Sequence, residues 1–325
     1  MKSLWGECAF IVVNFCGIQW RCVIYDNSLY EILSMNTELL LSKTTDIVDK
    51  IHYVRHDFSL LPNKDHLGIC IKHVDINELR HQFVSSLCAS IIKFIYCDDG
   101  YEKLKKEFGS CDEQTISGKI YQKAKQKFRP YSKRGQFSEL LVFTLLQHFF
   151  KAVPFLRKGS ITTNPEMERN GADALHIKYN PITKKYELYI AECKTKNAFS
   201  GAFHECLDDA IVHYKRMFTE LELYIYEDFI SPELEPVVAD FLNGKLENLE
   251  TNLVCLMTYE NEHPLTGGVG TLNDEMMESL LTSAKKISHT AVTKKVDPYI
   301  LNRIHYIMFP VNDLEALIET FEDMI

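Results

Sequence analysis

The 325-residue sequence has no closely spaced cysteine motif and no long hydrophobic run. Its ten cysteines are scattered and none forms a Cys-x-x-Cys pair, so neither a zinc ribbon nor a thiol redox motif is present. The apolar run from Ala9 to Val13 is too short for a signal peptide or a membrane-spanning helix, and no later segment approaches spanning length. Scattered thiols are typical of a reducing compartment. We therefore expect a soluble cytoplasmic protein with no membrane partner.

Several widespread catalytic motifs are also missing. The sequence contains no Gly-x-Ser-x-Gly, no His-Glu-x-x-His and no paired Cys/His arrangement. The glycine-rich stretch Gly267–Gly270 lacks the Gly-Lys-Ser/Thr ending of a phosphate-binding loop, so we interpret it as an ordinary loop. Function therefore has to be argued from other residues.

The charge balance is acidic, with one basic segment. The net charge of −9 argues weakly against nucleic acid as a partner. From Lys119 to Arg134, however, every charged residue is basic, and Tyr121, Phe128 and Tyr131 lie between them. One interpretation is a solvated helix face with a linker. The other is a surface that contacts nucleic-acid phosphates, and its position just before the segment 171–194 favours this second interpretation. The basic residues are Lys119, Lys123, Lys125, Lys127, Arg129, Lys133 and Arg134.

The segment Gly171–Lys194 predicts two antiparallel strands joined by a tight turn. When the chain is folded between Ile182 and Thr183, apolar residues lie opposite apolar residues and Lys178 lies opposite Glu187. Cross-strand matching of this kind sets the register of a hairpin. The pairs on the apolar face are Tyr179 with Tyr186, Ile177 with Leu188, Leu175 with Ile190, and Asp173 with Glu192.

This register places two carboxylates side by side at the end of an apolar face. Like charges directly opposite each other are destabilising unless something compensates them, and a divalent cation is the simplest compensation for Asp173 and Glu192. The two-residue period of a strand puts Lys194 on the same face as Glu192. Gly171, opposite Lys194, leaves room for a substrate backbone.

A third carboxylate precedes the hairpin on a predicted helix over residues 134–151. Glu139 begins the stripe that continues with Phe143, Leu146 and Phe150, which is one face of a helix with 3.6 residues per turn. A glutamate directed at a core costs free energy unless it is paired or binds a metal. Acidic residues where the pattern calls for apolar ones are typical of a functional site.

These residues suit magnesium chemistry. Mg²⁺ prefers oxygen ligands and often takes only one or two carboxylates, leaving other positions to water and substrate phosphate. We expect Asp173, Glu192 and Glu139 to supply carboxylate ligands and the Cys193 carbonyl another, with Mn²⁺ as an alternative metal. Lys194 could orient or deprotonate a water, or neutralise charge on the phosphate. Lys196, on the same face, could contact phosphate.

The sequence pattern predicts two domains. Residues 1–112 form a small α+β domain with strands near 7–25 and a helix over 76–96, and they show no catalytic residues, which suits partner docking. Residues 113–325 alternate helices with strands, so we predict an α/β domain with a mixed sheet flanked by helices. After the hairpin we predict helices over 201–223, 232–242, 273–286 and 313–324, and strands over 223–226, 253–259 and 304–311.

The combination of Gly-x-Asp, Glu-x-Lys and a preceding helix glutamate resembles the PD-(D/E)XK nuclease superfamily. Its aspartate falls on Asp173, its Glu-x-Lys on Glu192 and Lys194, and its helix glutamate on Glu139, while Ala172 stands where the superfamily name has proline. The resemblance implies a restriction-endonuclease-like fold. It also implies metal-dependent hydrolysis of phosphodiester bonds by those residues.

Within that superfamily the sequence resembles the HamA family, the nuclease subunits of the bacterial Hachiman antiphage system. The segments that carry this resemblance are Arg134-Gly-Gln-Phe-Ser-Glu-Leu-Leu, Asn170-Gly-Ala-Asp-Ala-Leu-His and Ala191-Glu-Cys-Lys-Thr-Lys. The resemblance implies a superfamily 2 helicase partner of the HamB type, which restrains the nuclease, and DNA as the substrate. We expect Lys123, Lys127, Arg129, Lys133, Arg134 and Lys196 to bind the nucleic acid.

Two other functions stay open at this point. The chain could be a non-catalytic nucleic-acid-binding subunit that kept a nuclease-like fold, although the complete set of Glu139, Asp173, Glu192 and Lys194 argues against this. It could also be an adaptor that docks on a helicase and regulates it. The acidic net charge and the first 112 residues are compatible with that role.

Overall fold

The structure of the protein, a computed structural model, describes residues 40–75, 77–128, 133–157, 171–224, 234–246, 248–267 and 271–325. The strands predicted near residues 7–25 lie outside these ranges.

Seven strands form one mixed sheet. They are β1 (Ile51–His56), β2 (His66–Ile71), β5 (Val153–Leu156), β6 (Ala174–Asn180), β7 (Lys185–Lys196), β8 (Leu249–Glu260) and β9 (Ile304–Val311). Two short strands, β3 (His73–Val74) and β4 (Asn77–Glu78), pair separately. The order across the main sheet is β1-β2-β9-β8-β7-β6-β5. The central strands β2, β9, β8 and β7 run parallel, whereas β1, β6 and β5 pair antiparallel at the two edges.

Helices cover both faces of this sheet. They are α1 (Thr45–Val48), α2 (Arg80–Ala89), α3 (Ile91–Ile95), α4 (Asp98–Glu107), α5 (Glu113–Lys125), α6 (Lys133–Phe149), α7 (Phe199–Tyr224), α8 (Glu235–Leu242), α9 (Leu272–Ala284), α10 (His289–Lys295), α11 (Pro298–Leu301) and α12 (Leu314–Met324). The predicted α/β architecture, a mixed sheet flanked by helices, is confirmed. None of the described helices has the length and apolar run that crossing a membrane requires.

Two apolar layers, one on each face, form the core. On strand β7 the side chains alternate: Leu188 and Ile190 pack with α7, α8 and α9, while Tyr189 and Ala191 pack with α2, α6 and α12. We call these faces the α7 side and the α6 side. Because both faces are covered, the central strand β8 is apolar without alternation, and residues 253–259 are buried throughout. The strands predicted over 253–259 and 304–311 are confirmed.

The hairpin has the predicted register. Ile177 pairs with Leu188, Leu175 with Ile190 and Ala174 with Ala191. Lys178 and Glu187 form an ion pair of 2.8 Å between Nζ and Oε2. At the turn, Asn180 Oδ1 accepts hydrogen bonds from the amides of residues 182 and 183, which closes the loop locally. The cross-strand pairs and the turn thus set the register of the hairpin, and with it the point at which β7 extends beyond the start of β6.

Some element boundaries differ from prediction. The helix expected over 76–96 begins at Arg80 and is divided at Ser90 into α2 and α3. Helices α4 and α5 are not among the predicted elements, and each is capped by a side chain, the Cys97 thiol and the Asp112 carboxylate respectively. Helix α7 continues to Tyr224, so the strand predicted to begin at residue 223 is wrong at its start. The rest of that segment lies outside the described residues.

The predicted division at residue 112 falls just before α5. Strands β1 and β2 precede it, and β2 pairs with β9 in the same sheet as the later strands. The docking role of the first 112 residues remains a proposal.

Candidate active site

The candidate site lies where strand β7 extends past the start of β6. Strand β6 begins at Ala174, opposite Ala191, whereas β7 continues to Lys196. Asp173 immediately precedes β6, and Gly171 before it has φ = 97°, a conformation that L side chains rarely adopt. The glycine is therefore required for the turn that leads the chain into Asp173.

Asp173 and Glu192 are linked by hydrogen bonds that run in both directions between their strands. The Asp173 amide donates to Glu192 Oε1 over 3.3 Å, and the Cys193 amide donates to Asp173 Oδ2 over 2.9 Å. The Cys193 thiol also donates to Asp173 Oδ2, over 3.1 Å. These donors hold two negative groups in adjacent positions, where repulsion would otherwise separate them.

Glu192 is almost completely buried, with 2% of its surface exposed. A carboxylate in such a position requires polar or charged partners. His213 of α7 provides one, because its Nε2 lies 3.5 Å from Glu192 Oε1. Asp173 is only partly buried, so its carboxylate lies nearer to solvent than that of Glu192.

Glu139 approaches from the opposite side of β7. It lies in α6, whose residues Phe143 and Leu146 are buried on the α6 side, as is Phe150 directly after the helix, so the predicted apolar stripe is confirmed. The Ser138 hydroxyl contacts Thr195 Oγ1 and lies 3.4 Å from Thr258 Oγ1. These contacts anchor the beginning of α6 on β7 and β8. Glu139 itself is buried.

All three carboxylates act on Cys193. Burial is the largest cause that raises the pKa of the Cys193 thiol, and the negative charges of Asp173, Glu139 and Glu192 raise it further. Among the described residues, however, no three His, Cys, Asp or Glu side chains are arranged so that they could hold a metal ion together. The expected three-carboxylate cluster is therefore not assembled in this structure.

The pair Asp173 and Glu192 nevertheless suits magnesium by its donor chemistry. Mg²⁺ commonly takes only one or two protein carboxylates and completes its shell with water and substrate phosphate. The Cys193 amide points towards Asp173, and since the amide and carbonyl of a strand residue point to the same neighbour, the Cys193 carbonyl faces that side too. Two carboxylates and one carbonyl are thus available at one edge of the sheet. The role of Glu139 as a ligand remains a prediction.

Lys194 is held in an ion pair at the end of β7. Its Nζ lies 2.6 Å from Asp209 Oδ2 and 3.9 Å from Glu205 Oε1, both on α7. Burial alone would lower its pKa, but the hydrogen bond to Asp209 and the charges of Asp173, Asp209 and Glu192 raise the pKa above its ordinary value. A protonated lysine can orient a water or neutralise phosphate charge, but it has no lone pair to accept a proton.

Two of the predicted nucleic-acid-binding residues come together near this site. Lys196 Nζ lies 2.8 Å from Glu205 Oε2. Arg134, at the beginning of α6, forms an ion pair with Glu315 and lies 3.5 Å from Asn197 Oδ1. The end of β7 is therefore flanked by a lysine and an arginine, each paired with a carboxylate.

The other predicted basic residues do not join them in the described part of the chain. Lys123 of α5 lies 3.8 Å from Glu107 and 5.0 Å from the ring centre of Phe108. Lys127 follows the end of α5. Arg129 and the side chain of Lys133 lie outside what the structure describes.

Asp209 and His213 contact the candidate site residues although they were not predicted from the sequence. Their signal is the spacing of polar residues on the helix that follows the Glu-x-Lys strand. Glu205, Asp209 and His213 recur every four residues, which places them on one face of α7. That pattern is indistinguishable from a solvated helix face until the direction in which α7 crosses the sheet is known.

Comparison with protein families gives one result that covers most of the chain. The family model described as HamA matches residues 45–325. Comparison with the curated proteins found no match.

Proposed function

Because the chain belongs to the HamA family, and is thereby a component of the Hachiman antiphage defence system, we propose that it is a magnesium-dependent DNA endonuclease. The observation that supports this most is the linked pair of Asp173 and Glu192 at the projecting end of β7, with Lys194 two residues further on. One acidic group on β7, a second directly before β6, and a lysine two residues further along β7 supply the ligands and the positive charge that metal-assisted phosphodiester hydrolysis uses.

Each residue then has a distinct role. The carboxylates of Asp173, Glu192 and Glu139 and the Cys193 carbonyl would hold Mg²⁺, with Glu139 on the α6 side of β7. When bound, the ion supplies Lewis-acid stabilisation of the phosphoryl oxygens and lowers the pKa of an attacking water. Lys194, which is protonated, orients that water and offsets charge on the phosphate. Mn²⁺ has similar ligand preferences and would replace Mg²⁺.

The DNA backbone approaches along the end of β7. Arg134 and Lys196 contact phosphates there, exchanging their present carboxylate partners Glu315 and Glu205 for the nucleic acid. Lys123, Lys127, Arg129 and Lys133 extend the contact further along the chain. Because such contacts release counterions, DNA binding should weaken steeply with salt.

We also propose a cytoplasmic location and a superfamily 2 helicase of the HamB type as partner. The described cysteines are all free thiols, which suits a reducing compartment. Residues 1–112 are proposed to provide the docking surface for the helicase.

The second candidate is a non-catalytic subunit that binds nucleic acid or regulates the helicase. One observation favours it: no three-residue metal group is assembled in the described part of the chain. A nuclease that takes its remaining ligands from water and the substrate is compatible with the same observation.

The test of the proposed function is plasmid nicking by the purified full chain. We expect supercoiled DNA to be nicked in the presence of Mg²⁺ or Mn²⁺ and to stay intact when a chelator removes the metal, because the carboxylates alone stabilise no phosphoryl charge. Product is measured on agarose gels over time at several metal concentrations.

Cleavage that persists unchanged in excess chelator would contradict the metal-dependent mechanism. DNA binding without cleavage under every metal condition, both alone and with the helicase partner, would favour the non-catalytic subunit.

A further inference from the structure

Helix α7 returns along the face of β7 so that three polar side chains of the helix meet three of the strand in order. Lys196 pairs with Glu205 over 2.8 Å, and Lys194 pairs with Asp209 over 2.6 Å. The third contact, 3.5 Å long, joins Glu192 Oε1 to Nε2 of His213 on α7.

The spacing of the two elements explains this match. Four helical residues advance about 6.0 Å and two strand residues about 6.6 Å, so a helix running antiparallel to a strand keeps step with it. The next position in this pattern, two residues back along β7 and four residues further along α7, is apolar and buried on both elements. The residues there are Ile190 and Met217. The polar contacts are thus confined to the end of β7 that carries the candidate site.

The contact with Asp209 decides where the Lys194 ammonium lies. A lysine is a point charge on a flexible four-carbon stem. Glu205, 3.9 Å from Lys194 Nζ, already pairs with Lys196 over 2.8 Å. Asp173 and Glu192 also act on Lys194 by their charge. Without Asp209, attraction would draw the ammonium onto those two carboxylates, where it would compete with a metal ion for the same oxygens.

We propose that Asp209 is a positioning residue of the nuclease site: it holds the Lys194 ammonium away from Asp173 and Glu192. This inference rests on the proposed function. Asp209 does not touch the substrate, and its effect on the reaction passes through Lys194. The carboxylates stay available to the metal, and the lysine stays available to the water and the phosphate.

The chain offers a matched control next to Asp209. Asp208 also forms an ion pair on α7, with Lys295 of α10, at 2.8 Å. Asp208→Asn therefore breaks an ion pair on the same helix without changing the position of Lys194. Asp209→Glu keeps the charge and tests whether a carboxylate one methylene longer restores the contact.

The experiment compares Asp209→Asn, Asp209→Glu and Asp208→Asn in the full chain by two measurements. The first is the acylation rate of each lysine by an amine-reactive ester, read by mass spectrometry without metal or DNA. We expect Asp209→Asn to change the rate at Lys194 several-fold and to leave Lys295 unchanged. Asp208→Asn should do the reverse, because each lysine loses only its own partner.

The second measurement is plasmid cleavage at varied DNA and Mn²⁺ concentrations. We expect Asp209→Asn to lower kcat by about 10- to 100-fold, since a displaced catalytic group costs that much. It should also raise the Mn²⁺ concentration needed for half-maximal rate, with little change in KM for DNA. Asp209→Glu should recover part of kcat, and Asp208→Asn should match the native chain. In a Lys194→Met background, Asp209→Asn should have no further effect on kcat.

Native kcat in Asp209→Asn would overturn the proposal, and so would a raised kcat, because Asp209 would then restrain Lys194 instead of placing it. Unchanged acylation of Lys194 would refute the contact itself. Absence of cleavage by the native chain would refute the proposed function and this role with it. The acylation result would still show whether the ion pair exists, so the two failures are distinguishable.

Discussion

Replacing Asp173 with asparagine, or Glu192 with glutamine, is expected to lower the rate of DNA cleavage by about a thousandfold or more. A bound divalent ion contributes several kcal/mol of charge stabilisation in the transition state, and each 1.36 kcal/mol corresponds to about tenfold in rate. Either substitution removes one of the two carboxylates that the structure holds side by side. The measurement is the single-turnover rate of plasmid nicking at saturating Mg²⁺.

The same variants are expected to differ from the native chain in how much Mg²⁺ raises their free energy of unfolding. Asparagine at 173 still offers an oxygen to the Cys193 amide, so folding should be preserved. Without metal the variants should be at least as stable as the native chain, since one of two adjacent negative charges is gone. At a Mg²⁺ concentration about a hundred times Kd, the native chain should gain about 2.7 kcal/mol in its free energy of unfolding. The variants should gain much less.

Glu250→Gln is a suitable control for both measurements. Glu250 lies on β8 and pairs with Lys185, near the beginning of β7 and away from the candidate site. It should cleave DNA and respond to Mg²⁺ like the native chain. Native rates in Asp173→Asn and Glu192→Gln would contradict the assignment of these carboxylates.

The second large expected effect is a loss of folding stability at low pH. The buried His66 and His176, together with the partly exposed His305, are expected to make the free energy of unfolding fall as the pH drops from about 6.5 towards 4. Burial is the main cause that lowers their pKa values, to about 4 for His66 and to about 3 for the other two. His176 is completely enclosed: its Nδ1 lies 3.0 Å from the Ala152 carbonyl oxygen, and its Nε2 has no hydrogen-bond partner.

The sign follows from proton binding. Below pH 6.5 these histidines bind protons in the unfolded chain but stay neutral in the folded chain, so lowering the pH favours unfolding. Each histidine contributes a slope of at most about 1.4 kcal/mol per pH unit. The stability they provide is therefore complete above the unfolded pKa and declines as the pH falls towards the folded values.

Denaturant titrations at pH 7, 6 and 5 measure this slope. His176→Phe should reduce it by about the contribution of one histidine, because phenylalanine does not bind a proton in either state. The exposed His263, changed to glutamine, serves as the control and should leave the slope as it is. A His176→Phe protein whose stability falls with acid as steeply as the native chain would contradict this account.

The hairpin shows what local sequence is able to specify. Its register was predictable residue by residue because each strand faces its partner across a short turn, and only one alignment pairs apolar with apolar and Lys178 with Glu187. The same alignment placed Asp173 next to Glu192. These contacts depend on residues that are close in the chain.

Features that depend on distant contacts were not predictable in this way. The pairing of β2 with β9 joins the two ends of the described chain, and nothing in the local pattern of His66–Ile71 identifies β9 as its neighbour. Likewise, Asp209 and His213 become site residues only because α7 runs back over β7. Glu139 was recognised from its position in an apolar stripe, but the stripe does not reveal that α6 covers the other face of the sheet.

The most direct test of the central claim is a crystal structure of the chain with DNA and Mn²⁺, with the metal located by its anomalous scattering. We predict a peak within ligand distance of the carboxylate oxygens of Asp173 and Glu192 and of the Cys193 carbonyl oxygen. A complex in which DNA and Mn²⁺ are bound elsewhere, and the Asp173 and Glu192 carboxylates contact neither, would contradict the account.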